Sequence, residues 1–291
     1  MTQLDSSTTL LGASDIRRIA AEAGISPTKK LGQNFVIDPG TVRRIVREAG
    51  IEAHDLVLEV GPGLGSLTLG ILECDAELTA VEIDRSLARR LPQTVAAYSE
   101  TGASRIHIIN QDALAIKPAD LPDEYSERDF TLVANLPYNV ATPILLTLLQ
   151  RFSHLDRFLV MVQKEVADRL VAAPGSKIYG APSAKIAWYG KAAPAGHIGR
   201  NVFWPAPNVD SALVSFERRH REDRISDHRD SVFALVDAAF QQRRKTLHAA
   251  LRGQIGDYAY QISGIDPTRR GETLTIEEFL MLEQAARQEQ A

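Results

Sequence analysis

Six short runs rich in branched apolar residues punctuate the chain: "DLVLEV" (55–60), "ELTAVEI" (77–83), "RIHIIN" (105–110), "FTLVAN" (130–135), "RFLVMVQ" (157–163) and "SALVSF" (211–216). Between most of them lie segments such as "LGSLTLGILE", "SLARRLPQTVAAY" and "PILLTLLQRF", whose apolar residues recur at three- and four-residue spacing. Runs of the first kind suit buried strands and segments of the second kind suit amphipathic helices. Their alternation predicts an α/β fold with a largely parallel sheet and helices on both faces. "SALVSF" follows another strand-like run, "AKIAWYGKAA" (184–193), with no clear helix between them. A hairpin with an antiparallel strand at the end of a sheet of about seven strands is therefore expected.

The flanks are helical. "SDIRRIAAEAG" and "DPGTVRRIVREAG" each open on a Ser or Asp cap and close on glycine. Beyond residue 217 a charged connector, "HREDRISDHRD", leads to "SVFALVDAAFQQRRKTLHAALRG" and "TIEEFLMLEQAARQ", both amphipathic. At 291 residues the chain exceeds the usual size of one domain. The expected division is a loose N-terminal extension over 1–14, a sheet domain over 15–217 and a small helical domain over 218–291.

No apolar run approaches the roughly 20 residues of a membrane span. The N-terminus has no basic segment followed by a long apolar one, and the single cysteine, Cys74, cannot form an internal disulfide. A cytoplasmic protein is expected. The net charge of −4 argues at first against a polyanionic partner, but it is unevenly spread. Residues 52–130 hold 15 acidic and 6 basic residues, whereas residues 131–252 hold 10 acidic and 17 basic. The basic flanks can form a polyanion-binding surface or only solvated faces.

Gly61, Gly63 and Gly65, in "LEVGPGLGSLT", lie directly behind the first strand and ahead of a helix. Small residues there let a ligand approach the backbone beside a helix N-terminus. Tight strand-to-helix turns use glycine without any ligand, so the acids that follow carry the argument. The second strand ends at "VEID", placing Glu82 at its tip, where a carboxylate can accept hydrogen bonds from both hydroxyls of a ribose. Asp112, in "NQDAL", occupies the next strand's edge, within reach of an adenine amino group or serving only as a helix cap. A nucleoside-containing cofactor is implied. The spacing G-x-G-x-G departs from the G-x-G-x-x-G more typical of nicotinamide dehydrogenases.

The fourth strand runs into "NLPY", residues 135–138. The amine of adenine is a poor nucleophile because its lone pair is delocalised into the ring. Two acceptors aimed at its N–H bonds favour a pyramidal nitrogen. The side-chain oxygen of Asn135 and the backbone carbonyl of Leu136 can be those acceptors. Pro137 biases Leu136 toward an extended backbone, and the ring of Tyr138, more than its hydroxyl, offers a surface for a flipped-out base.

These motifs, with "LGQNFVID" (31–38), "EVGPGLG" (59–65), "QDA" (111–113), "QKEVADRL" (163–170), "FWPAPNVDSAL" (203–213) and "FQQRRKTL" (240–247), resemble the rRNA adenine N6-dimethyltransferases over about residues 15–285. The resemblance implies a Rossmann-like class I methyltransferase sheet with a helical C-terminal domain that binds RNA. It implies S-adenosyl-L-methionine as cofactor, held by Asn34, Val36, Gly61, Gly63, Glu82, Asp112 and Asn135. Val36 stands where a leucine is more common. Asn135, Leu136, Pro137 and Tyr138 fall on the catalytic positions. Tyr138, Phe203, Arg243, Arg244 and Lys245 are the expected RNA contacts, with Phe203 either a second wall for the base or core packing. No metal is expected. Within the family the chain resembles the subgroup that dimethylates two adjacent adenosines near the 3′ end of small-subunit (16S) rRNA. The implied partner is an immature 30S subunit, met by a monomer. The alternatives are an Erm-like enzyme of the large-subunit rRNA, against which a pI near 6.0 counts, and a ribosome-assembly factor whose catalysis is secondary.

Overall fold

The computed structural model describes residues 7–25, 33–219 and 227–290. Leu31 and Gly32 of "LGQNFVID", residues 1–6 and the connector at 220–226 lie outside the described residues.

The chain divides into two compact units, residues 1–167 with 193–217, and residues 168–192 with 218–291. The first unit is built on a sheet whose strands in chain order are β2 (Leu56–Val60), β3 (Glu77–Val81), β4 (Ile106–Ile109), β5 (Phe130–Asn135), β6 (Leu155–Gln163), β7 (Gly190–Ile198) and β9 (Ser211–Arg218). Their order across the sheet is β4-β3-β2-β5-β6-β9-β7. The first five are mutually parallel, and β9 runs antiparallel to β6. A second, two-stranded ladder joins β1 (Phe35–Val36) to β8 (Phe203–Trp204), antiparallel. All five residues of β2 are buried, as a strand covered on both faces requires.

Helices α1 (Ala13–Glu22), α2 (Pro39–Ala49), α3 (Ser66–Leu72), α4 (Arg85–Tyr98), α5 (Ala141–Arg151) and α6 (Lys164–Leu170) accompany these strands. Of the two expected caps, the one at Asp38 forms, whereas α1 opens on Gly12 with Ser14 and Asp15 inside the helix, Asp15 reaching back to accept the Gly12 N–H at 3.1 Å. Asp38 accepts the Thr41 N–H at 2.7 Å at the start of α2, which Gly50 ends in the left-handed region at φ 63°. Asp84 accepts the Ser86 N–H at 2.8 Å at the start of α4. Every residue of α3 is buried.

The second unit is helical: α7 (Ala181–Tyr189), α8 (Arg229–Gln241), α9 (Leu247–Ala250), α10 (Asp257–Ser263) and α11 (Ile276–Gln290). Trp188 packs edge-on to Phe233 at 6.0 Å, Lys185 pairs with Asp237 at 2.7 Å, and the buried Tyr179 donates its hydroxyl to the Leu274 carbonyl at 2.9 Å.

Three expectations are corrected. Residues 184–189, read as part of a strand, are the end of α7, and β7 starts only at Gly190. Pro182 sits in the first turn of α7, and Ser183 accepts the Gly180 N–H at 3.1 Å, so helix nucleation outweighs the branched and aromatic composition. The expected loose extension is docked from Thr8 onward. The Thr8 hydroxyl meets that of Ser99 at 2.8 Å, and Leu11 is 1% exposed in the core. The run at 243–245, read as helical, lies in the turn between α8 and α9, because α8 ends at Gln241.

Candidate active site

The strand order reverses between β2 and β5. A parallel α/β sheet opens a crevice at the carboxyl ends of its strands at such a point. The loop after β2 carries the glycines and the loop after β5 carries "NLPY". A cleft of about 230 Å³ opens there, and among the residues that line it are Asn34, Val36, Gly61, Gly63, Glu82, Asp112, Asn135 and Pro137.

The glycine loop is glycine for a backbone reason. Gly61, Gly63 and Gly65 have φ of 72°, 60° and 98°, where a Cβ is strained. At Gly63 a Cβ would also come within 2.9 Å of the Phe35 ring. At Gly61 it would project to 3.8 Å from the Asn135 carbonyl and 3.9 Å from Pro137, into the gap between the two loops.

Glu82 is 4% exposed at the tip of β3. Its Oε2 accepts the Gly63 N–H at 3.1 Å and its Oε1 accepts the Asp84 N–H at 2.9 Å. Burial pushes this carboxyl above the ordinary carboxylate range, and the two backbone donors oppose that shift. Each oxygen keeps a further acceptor site, which suits a vicinal diol. Glu59 also lines the cleft, at 1% exposure. Burial first, and the negative Glu82 to a lesser degree, raise its carboxyl to about 8, against the Thr68 hydroxyl that donates to it at 2.7 Å. Asp112 is exposed at the rim, and its Oδ1 caps the local turn by accepting the Leu114 N–H at 2.9 Å. Ile83, 53% exposed beside Glu82, presents an apolar surface to the cleft.

Asn135 ends β5. Its side-chain Nδ2 donates to the Asn34 carbonyl at 3.0 Å, which commits one amide N–H and leaves Oδ1 as the acceptor of the group. The Leu136 N–H is fixed to the Met161 carbonyl at 3.0 Å. The β1 segment is anchored by the Ser66 hydroxyl, which donates to the Val36 carbonyl at 2.6 Å. Tyr138 is half-buried, and its hydroxyl lies 2.8 Å from that of Ser211, a contact that a reading based on the ring alone omits.

Of the expected RNA contacts, Phe203 is 3% exposed, pairs with Val36 across the small ladder and packs in the core. Its ring lies in the core and is not an open wall for a base. In the second unit, Arg243 pairs with Glu272 at 2.7 Å, whereas Arg244 and Lys245 are exposed. Gln33, Glu59 and Ile83 are cleft residues without an assigned role in the sequence reading. Each lies inside a quoted motif, so position beside a strand tip was the available signal.

This sheet order with its one antiparallel partner, the glycine turn and the acid at the next strand's tip define a Rossmann-like methyltransferase that uses S-adenosylmethionine. The buried Glu82 and the space over Gly61 fit that cofactor. The family model of ribosomal RNA adenine dimethylase matches residues 26–288, and the chain belongs to this family.

Its relatives agree. The chain is 66% identical over 286 residues to a ribosomal RNA small subunit methyltransferase A of Bifidobacterium longum subsp. infantis, covering 95% of this chain and 93% of the relative. It is 55% identical to the protein of the same description from Streptomyces coelicolor, covering 93% and 94%. Among solved structures, a dimethyladenosine transferase from Plasmodium falciparum superposes with a TM-score of 0.71 at 24% identity, over 85% of this chain and 95% of that one. That likeness is one of fold.

Proposed function

We propose that this enzyme transfers methyl groups to N6 of two adjacent adenosines in the hairpin loop near the 3′ end of small-subunit rRNA, giving N6,N6-dimethyladenosines. The substrate is the RNA of an immature small subunit, and the enzyme works as a monomer. The small-subunit description of relatives at 66% and 55% identity supports this choice of RNA. The observation that carries the chemistry is the Asn135 amide, turned by its 3.0 Å bond to the Asn34 carbonyl at the edge where the Glu82 cleft opens.

S-adenosylmethionine supplies an electrophilic methyl group on a sulfonium that carries its own leaving group. Glu82 accepts hydrogen bonds from the ribose hydroxyls, and Ile83 gives the adenine ring of the cofactor an apolar surface. The target base stacks on Tyr138, outside the RNA helix. Asn135 Oδ1 and the Leu136 carbonyl accept the two N–H bonds of its amine and aim the lone pair into the cleft. As N6 acquires positive charge in forming the new C–N bond, both acceptors bind it more strongly than in the ground state. Arg244 and Lys245 contact RNA phosphates. Incubating the purified protein with under-methylated small subunits and methyl-labelled S-adenosylmethionine, and then mapping the label, tests the reading. Label on two adjacent adenosines near the 3′ end of the small-subunit rRNA is expected; label elsewhere, or on large-subunit rRNA when both are offered, overturns it.

A further inference from the structure

The "VDSAL" run contains one hydroxyl that the methylation chemistry does not itself use. Ser211 is 0% exposed and opens β9. Asn135 pairs with Met161 across β5 and β6, Met161 pairs with Leu213 of β9, and Ser211 faces Gln163. Ser211 therefore stands two residues past the level of Asn135, roughly 7 Å further toward the cleft edge at strand spacing. A parallel strand would end its carboxyl terminus there. The antiparallel direction of β9 instead brings its first residue to the catalytic edge, and the Lys164 N–H fixes it further by donating to the neighbouring Asp210 carbonyl at 2.9 Å.

Tyr138 enters this corner from the opposite side, and its hydroxyl meets Ser211 Oγ at 2.8 Å. The ring is thus held at two points, by its own Cα in the "NLPY" loop and by its hydroxyl against a rigid strand. A Tyr held only at Cα turns about two side-chain torsions, and each orientation lost on base binding costs entropy. Neither partner is charged. Burial raises the Tyr138 phenol above its ordinary range, so it stays a neutral donor or acceptor toward Ser211.

We infer that Ser211 is a positioning residue for adenine methylation, which holds the Tyr138 ring in the orientation that stacks the target base. This rests on the reading of Tyr138 as the stacking surface.

The test is a double-mutant cycle with Ser211→Ala and Tyr138→Phe, beside Tyr138→Ala, in single-turnover transfer to under-methylated small subunits at saturating RNA and cofactor. Cofactor affinity is followed by calorimetry and folding by thermal unfolding. Ser211→Ala and Tyr138→Phe should each slow transfer roughly 3- to 10-fold, the loss of about one hydrogen bond. The double variant should be no slower than the slower single one, and cofactor affinity should stay parental throughout. Parental transfer by Ser211→Ala with slow transfer by Tyr138→Ala, or losses that multiply in the double variant, would overturn the inference and leave stacking intact. Parental transfer by Tyr138→Ala would instead overturn the stacking reading. If Ser211→Ala unfolds below assay temperature, Tyr138→Phe removes the same bond from its other end, and a parental rate there overturns the inference alone.

Discussion

The backbone N–H of Gly63 donates to Glu82 Oε2 at 3.1 Å, so the glycine turn after one strand and the acid at the tip of the next are a single hydrogen-bonded unit lining the cleft proposed to hold the cofactor. Removing the carboxylate both deletes the proposed ribose acceptor and leaves the Gly63 donor without its partner. Glu82→Ala should weaken S-adenosylmethionine binding by about 1.5 to 3 kcal/mol, the range of a hydrogen bond to a charged group, with little change in the rate at saturating cofactor. Calorimetry checks the first part; unchanged affinity would remove Glu82 from the site.

Gly63→Ala tests the same unit from the backbone side. The substitution must hold φ near 60° and bring a methyl against the Phe35 ring, which lies in the β1 segment beside Val36. Backbone strain in this region is worth about 1 to 2 kcal/mol before the clash is counted. Cofactor affinity should fall by at least as much as in Glu82→Ala, with a lowered melting temperature, and parental values for both would show that the turn tolerates a side chain.

Glu59 gives the protein a pH dependence of definite sign. Its folded-state carboxyl, raised to about 8 by burial, binds a proton that the unfolded chain releases near pH 4.3. The native state is therefore the better proton binder between those values, and Glu59 costs stability progressively as pH rises through that window, the cost being complete above about 8. Glu59→Gln, which keeps the shape and can still accept from the Thr68 hydroxyl, should lose less stability than the parent between pH 6 and 9. Denaturant titrations at several pH values read the difference; parallel curves would mean that Glu59 stays ionised in the folded protein.

Much of the first unit was legible because its signals are local. Positive φ at Gly61, Gly63 and Gly65 demands glycine, and Glu82 and Asn135 end apolar runs whose length fixes where a strand stops. What was not legible depended on contacts between distant segments. Phe203 reads as an aromatic available to RNA until its pairing with Val36 places it inside the core. The segment at 184–189 is a different case, because it has the composition of a strand while the signals that start a helix there, Pro182 and Ser183, are local and were present in the sequence. Ser211 looked like one polar residue in a strand because its partner, Tyr138, lies 73 positions earlier.

The basic turn of the second unit separates charges by their present partners. Arg243 is engaged with Glu272, whereas Arg244 and Lys245 are exposed. Arg244→Ala with Lys245→Ala should weaken RNA binding and lower its salt slope by about two at most, with cofactor affinity untouched. Arg243→Ala should chiefly lower the melting temperature. Filter binding across a salt series checks this, and an unaltered slope in the double variant returns both residues to a solvated face.

In the proposed chemistry the "NLPY" loop makes a nucleophile of the adenine amine, with Asn135 as an acceptor already oriented by the Asn34 carbonyl. Single-turnover methyl transfer by Asn135→Ala, with cofactor and under-methylated small subunits both saturating, measures it most directly. Loss of an acceptor preorganised for developing charge should slow the chemical step about 100-fold or more. A transfer rate equal to the parent's under those conditions would contradict this chemistry and reduce the loop to a structural turn.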